Sequence, residues 1–130
     1  MENRVALITG AGRGIGAQIA RTLAAEHIDI AVVDYGEQAA AQETLNALAS
    51  MGVAVRYYQC DVSDFAATKA VADAVVRDFG KIDILINNAG VTADKLILRM
   101  DESDWDRVLN IHLKGCFNMI KPVTPHMMRK

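Results

Sequence analysis

Cysteine is scarce in this chain. Cys60 and Cys116 are the only two, and neither belongs to a Cys-x-x-Cys pair. A disulfide framework and a thiolate metal site are thereby excluded, and both read as free or buried thiols of a reducing compartment. The two prolines, Pro122 and Pro125, both fall near the end and leave everything before them unbroken. Lacking N–H donors, they are expected to kink or end the helix that holds them. Aromatics make up 5% of the chain, and 14 basic residues face 16 acidic ones for a formal net charge of -2. That balance excludes a basic surface for nucleic acid or for an anionic membrane. No apolar run approaches the ~18 residues of a membrane span, and Met1-Glu2-Asn3 passes straight into a strand pattern. A cytoplasmic chain is expected. Linkers, low-complexity tracts and repeats are missing as well, which points to one domain over 1–130.

What the chain does have is glycine in a particular place. Thr9-Gly10-Ala11-Gly12-Arg13-Gly14-Ile15-Gly16 follows the apolar run Val5 to Ile8 and opens a helical pattern at Ile15, Ile19 and Leu23. A strand, a glycine turn and a helix start in this order aim backbone N–H groups at a phosphate. The spacing is Gly-x-x-x-Gly-x-Gly, and Ile15 stands where the commonest dinucleotide fingerprint has its third glycine. By itself such a turn is also compatible with a tight strand-to-helix connection that binds nothing.

Further strand-like runs follow, each ending in polar or small residues. Ile28 to Val33 ends in Asp34, at the distance where an acid accepts from the ribose hydroxyls of a dinucleotide. Val53 to Gln59 leads to Asp61-Val62, and Ile82 to Ile86 leads to Asn87-Asn88-Ala89-Gly90. Between the runs lie helical stretches: Ala41, Leu45 and Leu48 before Gly52, then Phe65, Thr68, Ala72, Val75 and Phe79 before Gly80, with Ser63 or Asp64 as N-cap. Ser103 is expected to cap a last helix that buries Trp105, Val108, Leu109, Leu113, Cys116, Phe117 and Ile120. Strands alternating with helices argue for parallel βαβ units and an α/β fold.

Thr-Gly-x-x-x-Gly-Ile-Gly, Asp61-Val62 and Asn-Asn-Ala-Gly, in this order, resemble the short-chain dehydrogenase/reductase family. The resemblance covers all 130 residues. Val91-Thr92-Ala93-Asp94-Lys95-Leu96, Leu98-Arg99-Met100 and Trp105 are similar to its 3-oxoacyl-carrier-protein reductase branch. It implies a three-layer Rossmann-type parallel sheet, truncated, with strand order 3-2-1-4. It also implies a dinucleotide site made of Thr9, Gly10, Gly12, Arg13, Gly14, Ile15, Gly16, Asp34, Asp61, Val62, Asn88, Ala89 and Gly90.

The family's catalytic Ser and Tyr-x-x-x-Lys do not occur here. Four residues after Tyr35, Tyr57 and Tyr58 stand Ala39, Asp61 and Val62, and Ser50, Ser63 and Ser103 lie in the wrong places. No catalytic residue is therefore assigned. The assisting asparagine, seven residues past the tryptophan, is His112. That imidazole either organises a water or backbone group near the site or is a partly buried structural histidine, and the second is favoured. Asn110, two residues earlier, is expected to face elsewhere.

In cofactor choice Arg13 resembles the residue that holds a 2′-phosphate in NADP-preferring relatives, whereas Asp34 repels that phosphate. The balance favours NAD(H) over NADP(H). A strand at 82–86 on an open edge, together with the last helix, is expected to make the chain a homodimer or larger. Three readings remain: an inactive coenzyme half of a 3-oxoacyl or similar ketone reductase, which is preferred, a self-associating binding module without redox work, or a structural fragment with a collapsed pocket.

Overall fold

The computed structural model describes residues 3–90 and 97–129. The Val91–Leu96 segment that carries part of the reductase resemblance lies outside them. Four parallel strands form one sheet: β1 (Val5–Thr9), β2 (Asp29–Asp34), β3 (Val55–Gln59) and β4 (Ile84–Ile86). Their order is β3-β2-β1-β4, as the sequence implied. Between them run α1 (Gly14–Ala25), α2 (Gln42–Ala49) and α3 (Phe65–Phe79), and after them α4 (Glu102–Leu109) and α5 (Gly115–Met128). Among the described residues no helix is long and apolar enough to cross a membrane.

β1 is buried along its whole length because it has a neighbour on each side and helices on both faces. Successive side chains of a strand point to opposite faces. Val5 and Leu7 therefore join Val33, Val71, Val75, Met119 and Val123 under α3 and α5. Ala6 and Ile8 join Ala20, Ala24, Ile30, Val32, Leu45 and Leu48 under α1 and α2. The near-continuous apolar runs are thus those of strands covered on both sides.

Helix ends follow local chemistry. Asp64 caps α3 by accepting from the Ala67 N–H at 3.2 Å, and Gly80 closes it with φ 88. α1 ends at His27, whose φ of 63 is the one positive value on a non-glycine among the described residues. There Ile28 N–H returns to Leu23 O at 3.2 Å.

Several expectations change. β4 starts at Ile84 and not Ile82, because Ile82 turns into the core and Asp83 clasps Val5 from both sides: its carboxylate accepts from Val5 N–H at 2.8 Å and its own N–H donates to Val5 O at 2.9 Å. β3 likewise starts at Val55, since Val53 packs under α2. Asp101, not Ser103, is the N-cap of α4; the Asp104 carboxylate returns to the Asp101 N–H at 3.0 Å. The last helix is also not one α-helix. A π-helical turn, Asn110–Lys114, separates α4 from α5 and shifts the register of everything after it. Gly115, Asn118, Met119 and Val123 consequently face inward. Most of the expected stripe faces out, with Trp105 60%, Leu113 70% and Phe117 56% exposed, while Val108 and Cys116 are half-buried.

Neither proline ends α5, which runs through Pro122 and Pro125. Pro122 has no N–H for the Asn118 carbonyl, and a neighbouring helix supplies the missing donor. Thr68 Oγ1 on α3 lies 2.7 Å from Asn118 O and 2.8 Å from its own-helix Phe65 O. The Asn118 side chain in turn donates to Val62 O at 2.9 Å. Replacing Thr68 by Val should therefore cost about 1–3 kcal/mol by orphaning a buried carbonyl. Pro122→Ala should recover part of that loss in the Thr68→Val background, because a helical N–H returns; urea unfolding of the four proteins checks it.

Candidate functional site

The site begins at the C-terminal ends of the strands, where parallel sheets bind ligands. After Thr9 the chain reverses through Gly10 and Gly14, whose φ values of 67 and 61 suit glycine. The turn is packed tightly from behind. A Cβ on Gly16 would lie 2.2 Å from Gly10 O, and one on Gly12 would lie 2.7 Å from Asp34 Oδ2. At Gly14 nothing lies within 4 Å of a Cβ position. α1 carries no acidic residue in its first turn, and Arg13 gives it no side-chain cap, so its N-terminal dipole is not neutralised from within.

Asp34 joins this turn to β2. Its Oδ2 accepts from Gly12 N–H at 2.8 Å and its Oδ1 from Tyr35 N–H at 2.7 Å. Thr44 holds the other side of Gly12, donating to its carbonyl at 2.8 Å. Thr9 and Asn88 fasten the turn to the loop after β4. Thr9 Oγ1 accepts from the N–H groups of Asn88 and Ala89, both at 3.0 Å, and Asn88 Nδ2 donates to Gly10 O at 3.2 Å. Asp61 forms a turn of its own, with Oδ1 accepting from Ser63 N at 2.9 Å and Ser63 Oγ at 2.6 Å.

A cleft of about 750 Å³ opens over these strand ends. Of the residues singled out from sequence, Gly10, Gly12, Arg13, Asp34, Asp61, Val62, Ala89 and Gly90 line it. Thr9 and Gly16 are buried behind the turn, Asn88 lies beside it, and Gly14 and Ile15 are exposed on its outer side. His112 is exposed, not partly buried, and its ring abuts Gly90: a Cβ there would meet Cε1 at 2.3 Å. Asn110, expected to face elsewhere, lines the cleft with Ser103, Asp106 and Arg107. Helical spacing around Trp105 could have exposed that polar stripe, but the π turn that places Asn110 had no signal. Tyr57 and Cys60 were also missed. A tyrosine inside a strand announces only which face it takes.

Burial, followed by the Asp34 charge, raises the Tyr57 hydroxyl above its ordinary pKa and keeps it a donor. It gives its hydrogen to Gly36 O. Burial also pushes the Cys60 thiol up to about 11, helped by Asp61 and Asp64. Cys60 is thus a neutral wall of the cleft and not a nucleophile.

A parallel sheet in the order β3-β2-β1-β4, flanked by helices and carrying a glycine turn at the end of its first strand, defines an α/β protein of the Rossmann type. Residues 4–130 match the family model described as short chain dehydrogenase. The chain belongs to that family. It is similar to the 3-oxoacyl-[acyl-carrier-protein] reductase FabG of Staphylococcus aureus, 43% identical over 125 residues that cover 96% of this chain and 51% of the relative. The short-chain reductase protein NovJ of Streptomyces niveus is 41% identical over 129 residues, covering 99% and 49%. The crystal structure of NAD+-bound xylitol dehydrogenase superposes with a TM-score of 0.91 at 39% identity, covering 98% of this chain and 49% of that one. This chain therefore spans about half the length of the curated relatives it matches.

Because burial disfavours the thiolate, Cys60 ionisation costs the fold nothing below the ordinary value of 9.0, and stability falls as pH rises from there toward about 11. Urea midpoints should therefore fall more steeply across that window for the native protein than for Cys60→Ala. Equal slopes would place Cys60 in contact with water.

Proposed function

We propose that the cleft takes the adenosine and pyrophosphate half of a nicotinamide dinucleotide, and that NAD(H) is preferred to NADP(H). The observation that carries this reading is the Asp34 carboxylate, tied to the glycine turn through Gly12 N–H at 2.8 Å while lining the cleft. A 2′-phosphate brought there would meet a fixed negative charge, a repulsion of roughly 4 kcal/mol at 4 Å and an effective dielectric of 20. Arg13 is exposed, and an exposed ion pair returns only about 0–1 kcal/mol. Repulsion wins.

The site fits such a cofactor. Gly10, Gly12, Gly14 and the start of α1 would hold the pyrophosphate, Asp34 the ribose, and Asp61, Val62, Ala89 and Gly90 the base and the inner wall. When bound, the nicotinamide supplies or takes up hydride; the residues of this chain bind, orient and exclude water. The parent reaction we assign is reduction of a 3-oxoacyl thioester or similar ketone, with the 130 residues alone binding nucleotide and turning nothing over. Isothermal titration with NADH and with NADPH tests this. NADH should bind more tightly, and Asp34→Ala should weaken it roughly tenfold while narrowing the preference. A folded protein that gives no heat with either nucleotide, or an unchanged ratio in the variant, rejects the reading.

The outward apolar stripe supports self-association as well. Trp105, Leu109, Leu113, Phe117 and Ile120 all stand exposed on one course along α4 and α5, more than scattered surface apolar residues require. A second copy is the proposed cover, with the edge of β4 as a further contact. Light scattering at micromolar concentration should give a dimer or larger particle, and Leu113→Asp should shift it toward monomer. A monomeric native protein that binds no hydrophobic dye ends this proposal.

A further inference from the structure

We propose that strand β3 sets which dinucleotide the cleft prefers, by clamping the loop that follows Asp34. The carbonyl that ends β2 and the first two of that loop each receive a hydrogen bond from β3 or the residue just after it. Cys60 N–H donates to Asp34 O at 2.8 Å, Gln59 Nε2 to Tyr35 O at 3.2 Å, and the Tyr57 hydroxyl to Gly36 O. Two of the three donors are side chains, so the clamp depends on residue identity and not on the sheet ladder alone. The loop they hold is the wall of the cleft from Asp34 to Glu37.

The consequence lies in where the Asp34 charge sits. Its Oδ1 is bound to Tyr35 N–H, and Tyr35 is held in turn through its carbonyl by Gln59. Fixing the loop therefore fixes the carboxylate from the side opposite Gly12. A fixed acceptor binds ribose hydroxyls at low entropic cost, and it cannot swing away from a 2′-phosphate. Tyr57 is suited to the task because it is half-buried, its hydroxyl stays protonated, and its ring also lines the cleft. Tyr58, the next residue, points its hydroxyl away from the cleft to Asp78 Oδ2 at 2.7 Å. It is a built-in control.

Tyr57 and Gln59 are positioning residues in this account, acting through Asp34, and the account rests on the dinucleotide reading above. The experiment is titration of the native protein, Tyr57→Phe, Gln59→Ala and Tyr58→Phe with NADH and NADPH, with hydrogen exchange of the 35–37 amides measured on the same proteins. Tyr57→Phe should weaken NADH roughly 3- to 10-fold, as loss of one hydrogen bond does, while NADPH changes by less than about twofold. The preference narrows, and the 35–37 amides exchange faster. Gln59→Ala should do the same to a smaller degree, and Tyr58→Phe should do neither. Unchanged amide exchange in Tyr57→Phe overturns the clamp whatever binds. Faster exchange with equal losses for both nucleotides, or the same effect from Tyr58→Phe, reduces Tyr57 to general support and overturns the inference. A native protein that binds neither nucleotide refutes the underlying reading, and the specificity role falls with it.

Discussion

The hydrogen bond from Gly12 N–H to the Asp34 carboxylate joins the two parts of the molecule on which the site depends. On one side is the turn between β1 and α1, on the other the loop at the end of β2. The bond is possible only because Gly12 has no side chain, since a Cβ would lie 2.7 Å from the same oxygen. It places an ionised acceptor, which makes the stronger kind of hydrogen bond, against a backbone donor at the mouth of the cleft. Thr44 from α2 and Asn88 from the loop after β4 hold the same turn at two other points. Three parts of the chain therefore converge on the eight residues of this turn, which explains how a turn so rich in glycine keeps one shape.

Much of this was legible in the sequence because its causes are local. The strand at Val5, the reversal at Gly10 and Gly14, the helix from Asp64 to Gly80 and the acid at Asp34 each follow from neighbours a few residues away. The strand order followed from the family resemblance together with the handedness of the crossovers. What could not be read came from contacts distant along the chain. Residues 105–123 carry two apolar stripes side by side, and periodicity cannot say which faces in. Packing chose Met119 and Val123 over Phe117 and Ile120, and the π turn completed the shift. Asn110 enters the cleft for the same reason. Tyr57 and Cys60 line the cleft only because β3 lies against the loop after β2, a proximity that their spacing does not reveal.

α4 is an unusual helix in this setting. Ser103, Asp106, Arg107 and Asn110 turn toward the cleft while Trp105 and Leu109 face away from the body of the protein. A helix that packs on its own core has the opposite arrangement. The polar side makes sense if the cleft is wet or holds a polar ligand, and the apolar side makes sense if something else covers it. One helix thus separates two kinds of surface.

α1 is held very differently at its two ends. The front, at Gly16, is pressed against the Gly10 carbonyl and has no room for a side chain. The back closes on His27, a side chain in a conformation that costs a non-glycine residue roughly 1 kcal/mol. This is a reserve of stability at a position remote from the cleft. A glycine there would release it, and the engineer who wants a sturdier scaffold with an untouched cleft has an obvious first position to try.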